Sequence, residues 1–264
     1  KFMKKFFIAA FAFAIMLSAD VLACTSAIIT GKATPDGRPL MWKHRDTGEL
    51  NNKVKHYKGE KYSFYALINS PDALLNEAWT GTNEVGFSIM NTASYNLKND
   101  DVPAEQMDKE GVLMFKALST CRTLKDFEKF LDKYARPTGV EANFGVIDAE
   151  GGAAYYEVNN NSWTKSDGNA PNIAPQGYIV YTNHSNTGRL NDGMGYVRYT
   201  TADKIMKEQI GRNGDITAKW IMQNLSRTFY HSVLGIDLNK DKELVAKCNG
   251  WFMDQDFIPR KSSS

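Results

Sequence analysis

Cys24 is the side chain whose type and position most directly suggest chemistry. It lies in Val21-Leu22-Ala23-Cys24-Thr25-Ser26-Ala27-Ile28-Ile29, where an apolar leader gives way to a run with strand character. A cut after Ala23 would make Cys24 the first residue and turn its backbone nitrogen into an α-amine. Such an amine titrates at about 7.7 to 8.0, so a useful fraction is free base at neutral pH. One residue then holds both a thiol nucleophile and its own general base, and can attack an amide carbonyl to form a thioester. Before the cut the same nitrogen is an amide that accepts no proton. Cleavage is therefore the activating step and the uncut chain a zymogen, processed at Ala23–Cys24 either by a signal peptidase or by the chain itself.

Two other readings of Cys24 compete. Val-Leu-Ala-Cys is a passable lipidation box, which would make the chain a non-enzymatic surface lipoprotein, and a thiol can also simply be packed. A lipidated cysteine is normally followed by a flexible polar tether. Here Thr25 enters a strand at once, which favours the enzyme.

Other chemistries fare worse. His44, His56, His184 and His231 have no zinc-ligand spacing, and no metal is expected. No Gly-x-Ser-x-Gly elbow occurs. Gly193-Met194-Gly195 lacks the third glycine of a dinucleotide fingerprint. The stretch from Asp237 has Lys242 where a calcium loop needs glycine and Cys248 where it needs glutamate. No cofactor is implied.

The leader reads as an export signal. Lys4 and Lys5 precede an apolar run from Phe6 to Leu17, and Val21 and Ala23 occupy the two positions a signal peptidase reads. Twelve apolar residues are fewer than the about 20 that span a bilayer, so no membrane span is expected in the mature form. Residues 1–23 are thus a signal peptide or pro-segment, and 24–264 a single catalytic domain. The expected location is periplasmic or extracellular. After the leader only Cys24, Cys121 and Cys248 remain, too few for a disulfide scaffold, and pairing of Cys121 with Cys248 stays open.

The 264 residues carry 32 basic and 30 acidic side chains. Lys1, Lys4 and Lys5 against Asp20 account for the whole excess, so the remainder is balanced and no basic surface points to nucleic acid. With 42% hydrophobic residues the chain can build a sizeable core.

The elements that must position Cys24 follow from periodicity. Residues 25–31 and 39–46 read as strands around Thr-Pro-Asp-Gly, 61–70 as a strand, and 76–94 as two strands about Thr-Asn-Glu-Val-Gly. Val112, Phe115, Leu118 and then Leu124, Phe127, Leu131 recur at three and four, predicting two helices within 104–135. A strand meander follows from Ala142, with another strand at 177–185. Two helices then cover 198–210 and 215–227, the second capped by Asp215. Strands, helices, strands, helices without βαβ alternation indicate an α+β domain of antiparallel sheets with helices outside.

Four stretches in this order resemble N-terminal nucleophile (Ntn) hydrolases of the choloylglycine hydrolase, penicillin V acylase and isopenicillin N acyltransferase group. Cys24 to Asp46 resembles their start. Thr82 to Ser94 resembles the hairpin whose second strand ends in an oxyanion-hole asparagine, here Asn91. Tyr178 to Gly188 resembles the strand carrying a second active-site asparagine, here Asn183. Gly195 to Ile205 resembles the helix start that supplies an arginine, here Arg198. The resemblance implies a four-layer αββα sandwich, no cofactor, and a small-molecule N-acyl amide as substrate, of bile-salt, penicillin V, N-acyl amino acid or lipid-amide type. Self-association is left open.

On that basis Asp46 would orient the amine of Cys24, Asn91 would stabilise the oxyanion, Asn183 would bind the amine or the substrate amide, and Arg198 would act electrostatically. The chain departs from the bile-salt enzymes in one place. Lys43 stands where they have an arginine, three residues before the aspartate, and the nearby arginine is Arg45. Strand alternation puts Lys43 and Arg45 on one face, so either could serve beside the thiol, although lysine cannot form a bidentate fork. Trp42, Phe87 and Tyr181 are candidates to line an acyl pocket. The expected activity is linear-amide hydrolysis, with acyl transfer to an amine or coenzyme A as the same-fold alternative.

Overall fold

The computed structural model of the chain describes residues 23–72, 76–97, 102–228, 230–232, 235–237, 252–254 and 258–260. The leader up to residue 22, Cys248 and most of the calcium-loop-like stretch lie outside them.

The first strand, β1 (Thr25–Ile29), has every residue buried because both its faces are covered. It is the centre of a three-stranded antiparallel sheet, with β2 (Leu40–His44) on one side. The second sheet is a seven-stranded antiparallel meander in chain order. Its strands are β3 (Asn52–Tyr57), β4 (Phe64–Asn69), β5 (Thr80–Asn83), β6 (Ser88–Ala93), then β7 (Ala142–Ile147), β8 (Ala153–Val158) and β9 (Trp163–Asp167). The chain then returns to the first sheet as β10 (Tyr178–Tyr181), the other neighbour of β1.

Between β6 and β7 come α1 (Glu110–Thr120) and α2 (Leu124–Lys133). Thr123 and Asp126 form a capping box at the start of α2, each side chain bonding the other's backbone N–H. The two helices lay Leu113, Leu118, Phe127 and Leu131 on the outer face of the seven-stranded sheet, against Phe87, Ile89, Phe144 and Tyr156. After β10 come α3 (Tyr196–Gly211) and α4 (Ala218–Gln223), which cover the outer face of the smaller sheet. There Ala27, Ile29, Trp42 and Val180 meet Ala202, Met206 and Ile221. The two inner faces meet through Ile28, Met90, Ala153, Tyr155 and Tyr181. The layers are helix, sheet, sheet, helix, an α+β sandwich.

Three local expectations need correction. Strand β3 is not evident in the sequence because Asn52-Lys53-Val54-Lys55-His56-Tyr57 is a half-exposed edge strand with a polar repeat. The strand expected over 177–185 pairs only as far as Tyr181, and beyond it the chain is held by side chains and by the Tyr95 and Met194 N–H groups on the Asn183 carbonyl. The cap of α4 is Thr217, whose hydroxyl accepts from the Trp220 N–H at 3.0 Å, rather than Asp215. Two short ribbons, Tyr230–His231 with Ile236–Asp237 and Phe252–Asp254 with Ile258–Arg260, follow α4.

The glycines of Gly193-Met194-Gly195 have a steric purpose. Gly195 has φ 87°, and a Cβ there would lie 2.6 Å from Thr182 and 2.7 Å from the Arg198 guanidinium. Only glycine lets the start of α3 come this close to the chain leaving β10.

Candidate active site

Cys24 directly precedes β1 and is buried. Strand pairing sets its surroundings. Ser26 stands opposite Lys43 and Thr25 opposite His44, so continuing the antiparallel register brings Arg45 opposite Cys24 and Asp46 opposite Ala23. Residues 24, 26, 43 and 45 therefore share the face toward the second sheet. Asp46 is buried just past β2.

The backbone nitrogen of Cys24 donates to Asn183 Oδ1 at 2.8 Å. With Ala23 attached it donates as an amide N–H, and an α-amine formed there would face the same acceptor. Arg198, buried in the first turn of α3, donates to Asn183 Oδ1 at 2.9 Å. Its other terminal nitrogen reaches the Cys24 carbonyl at 2.5 Å and the Thr25 hydroxyl at 3.1 Å. Asn183 Nδ2 donates to the Ala93 carbonyl at 3.0 Å, at the end of β6. The asparagine amide is thus fixed at both ends, its oxygen aimed at the nitrogen of residue 24.

Lys43 Nζ donates to Asn91 Oδ1 at 2.8 Å and to the Trp79 carbonyl at 2.9 Å, where β5 begins beside β6. That bond commits the oxygen of Asn91 and leaves Nδ2 as its donor end. Burial pushes the Lys43 ammonium down to about 8, against a smaller upward pull from the Cys24 thiol beside it. Arg45 is also lowered by burial, and the same thiol opposes the shift. Its guanidinium lies over the Trp79 ring, 5.2 Å from the centroid, and donates to the side-chain oxygens of Asn52 and Asn69. Burial, with the Arg198 charge added, pushes His44 down to about 4, so it is neutral near pH 7.

Cys24, Lys43, Arg45, Asp46, Asn183 and Arg198 therefore gather where β1, β2, the exit of β10 and the start of α3 meet, with Asn91 tied in through Lys43. The aromatic candidates need correction. Strand alternation turns Trp42 away from Lys43, onto the α3–α4 side, where its indole N–H donates to Ser226 at 2.9 Å. Phe87 is fully buried beneath α1 and α2, against Phe127. Tyr181 does lie between the sheets, but there it packs on Tyr155 and its hydroxyl donates to Glu157 at 2.7 Å. Among the residues missed, Trp79 supplies both the carbonyl under Lys43 and the ring under Arg45. Its only signal was an indole inside the strand pair expected over 76–94.

Among the described residues no cluster of histidine, cysteine, aspartate or glutamate could hold a metal, and no helix is long and apolar enough to cross a membrane. Cys24 and Cys121 are free thiols.

Three solved structures are similar to this one. The Caenorhabditis elegans ortholog of N-acylethanolamine-hydrolyzing acid amidase superposes with a TM-score of 0.57 at 20% identity, over 77% of this chain and 86% of that one. Thermostable penicillin G acylase from Alcaligenes faecalis gives 0.54 at 10% identity, over 85% of this chain and 55% of that one. A variant of conjugated bile acid hydrolase from Clostridium perfringens aligns at 12% identity over 80% and 81% of the chains, with a TM-score of 0.48. No curated protein sequence matches the chain. Residues 80–218, more than half of the sequence, match the family of acyl-coenzyme A:6-aminopenicillanic acid acyl-transferase, a stretch that includes Asn91, Asn183 and Arg198. With that match and its helix–sheet–sheet–helix sandwich, the chain belongs to the acyl-coenzyme A:6-aminopenicillanic acid acyl-transferase family, within the Ntn-hydrolase group.

Proposed function

We propose that the chain is an exported amidase that uses Cys24 as an N-terminal nucleophile once the preceding segment is removed. The observation that carries this reading is the 2.8 Å bond from the residue-24 nitrogen to Asn183 Oδ1, in an amide already locked by Arg198 and Ala93. An α-amine released there has a waiting acceptor and lies next to its own thiol.

The reaction runs by acyl transfer. The free amine takes the thiol proton, directly or through a water, while sulfur adds to the carbonyl carbon of an N-acyl amide. Asn91 Nδ2 donates to the oxyanion, a kind of contact worth about 3 to 4 kcal/mol in other enzymes. The tetrahedral adduct collapses with loss of the C–N bond, and the ammonium of Cys24 gives its proton to the departing nitrogen. Water, deprotonated by the same amine, then cleaves the thioester to a carboxylic acid and restores the thiol. Asp46 holds the amine in orientation, and Arg198 fixes Asn183 and the Cys24 carbonyl.

The family match favours a second reading, in which the thioester passes to an amine or to coenzyme A instead of water. Both begin with the same acyl-enzyme. Intact mass of the protein from its native host, joined to a substrate panel, tests them. The panel contains glycine and taurine bile-salt conjugates, phenoxymethylpenicillin, N-acyl amino acids and N-palmitoylethanolamine, with released amine detected by mass. A chain starting at Cys24 with turnover lost in Cys24→Ala is expected. A diacylglyceryl adduct on Cys24, or unchanged turnover in the variant, would reject the amidase. Acyl product formed only when an acceptor amine or thiol is added would replace hydrolysis by transfer.

A further inference from the structure

Asn183 lies beyond the end of β10 at Tyr181, where its carbonyl accepts from the N–H groups of Tyr95 at 3.3 Å and Met194 at 3.2 Å instead of from a strand ladder. Its precision must come from elsewhere. Beyond Tyr181 the chain crosses to the inner face of the seven-stranded sheet, where Asn143 of β7 and Glu157 of β8 stand directly opposite each other. Both are buried in otherwise apolar strands. Asn143 Nδ2 donates to the carbonyls of Thr182 at 3.2 Å and His184 at 3.1 Å, the residues on either side of Asn183. Its Oδ1 accepts from the Ser185 hydroxyl.

Glu157 continues the hold. Oε1 accepts from the Asn186 N–H at 2.6 Å and from the Tyr181 hydroxyl at 2.7 Å. Oε2 accepts from the Thr187 N–H at 2.9 Å and from the Thr187 hydroxyl. Four donors converge on the two oxygens of one buried carboxyl. Burial and the neighbouring Glu157 push the Tyr181 hydroxyl up, which keeps it a donor.

We infer that Glu157, with Asn143 beside it, is a positioning residue that acts through Asn183. The pair clamps residues 181–187 to the second sheet and so sets how closely Asn183 Oδ1 approaches the nitrogen of Cys24. This deepens the amidase reading and rests on it. Neither residue touches the thiol or the substrate carbonyl.

The consequence is chemical as well as structural. An acceptor on the α-amine favours its ammonium form, so the distance from Asn183 helps set the pH at which the base becomes available. The other groups acting there are Lys43 from β2, Arg45 and Asp46 just past it, and Arg198 from α3. In Glu157→Gln the new amide NH2 opposes the Thr187 donors, the segment moves off the sheet, and Asn183 Oδ1 withdraws.

The test uses the processed full chain and follows kcat, KM and the acid limb of kcat/KM on phenoxymethylpenicillin and N-palmitoylethanolamine. Cys24→Ser runs beside it, and circular dichroism gives the folded fraction. Glu157→Gln is expected to lower kcat about tenfold per folded molecule with KM within about twofold. Its acid limb should move to lower pH by about half a unit or more. A fall in rate that only tracks the folded fraction, with the limb unmoved, overturns the positioning role. If Glu157→Gln does not fold, Thr187→Val, which removes one hydroxyl donor and keeps the carboxyl, carries the test with a smaller shift in the same direction. An unmoved limb there overturns the inference equally. Wild-type turnover of neither amide, or full activity in Cys24→Ser, rejects the amidase reading itself. An inactive Cys24→Ser with an unmoved limb in Glu157→Gln rejects only the clamp.

Discussion

Lys43 shows how one side chain bears on both stability and chemistry. Its ammonium is buried and ordinary in partners, holding a backbone carbonyl and the oxygen of Asn91. The folded chain releases its proton near pH 8, the unfolded chain at about 10.5. Between those values the unfolded state binds more protons, so this group makes stability rise with pH across the window. In Lys43→Met that rise should disappear, read as urea midpoints at pH 8 and 10 for both proteins. An equal pH dependence in the two would show that Lys43 keeps its proton in the fold. The variant should also lose turnover, because the amide of Asn91 is then free to rotate. In the sequence, strand alternation placed Lys43 and Arg45 on one face, while Cys24 stood out by its position at the end of the leader. It could not show that Lys43 grips Asn91, since those residues lie 48 positions apart on different sheets.

At the scale of elements, helix α1 carries an unusual burden at its start. Glu110 is buried there, accepts from the Glu141 N–H at 3.1 Å, and is pushed up to about 7 by loss of solvent. The unfolded carboxyl ionises near 4.5, so from about pH 4.5 to 7 the folded state binds the extra proton and stability falls as pH rises. Glu110→Gln keeps an acceptor for Glu141 and removes the charge. It should be roughly 1 to 3 kcal/mol more stable than wild type at pH 8 and nearly equal at pH 4. Equal stability at both pH values would refute the buried ionisation. The helices were legible because each buries one face, which leaves a periodic mark, Leu124, Phe127 and Leu131 for α2, and strands such as β1, β7 and β8 because burial on both faces leaves a mostly apolar run. Strand β3 left no such mark, and the segment after Tyr181 looked like more strand. Its partners include the side chains of Asn143 and Glu157, two polar residues in apolar strands whose meaning depends on what crosses above them.

For the whole molecule, the layering separates what holds the fold from what performs the reaction. Phe127 touches the rings of Phe87, Phe130, Phe144 and Tyr156 beneath α1 and α2, on the far side of the seven-stranded sheet from Cys24. Phe127→Ala should cost about 3 to 5 kcal/mol in urea unfolding while leaving kcat of the folded enzyme within about twofold at low temperature. A large loss of kcat without loss of stability would contradict that separation. The sandwich class was readable from element order, because strands and helices come in blocks. The pairing of β1 with β10 was not, since Ser26 and Tyr181 lie 155 positions apart and nothing local in either strand names the other as its partner. That pairing has a consequence in time. A chain made from its N-terminus completes β2 beside β1 early, yet Asn183 and Arg198, which hold the residue-24 nitrogen and carbonyl, emerge 159 and 174 residues after Cys24. The nucleophile is made well before its setting. A cut that depended on this setting would act as a completeness check, leaving truncated or half-folded copies chemically silent.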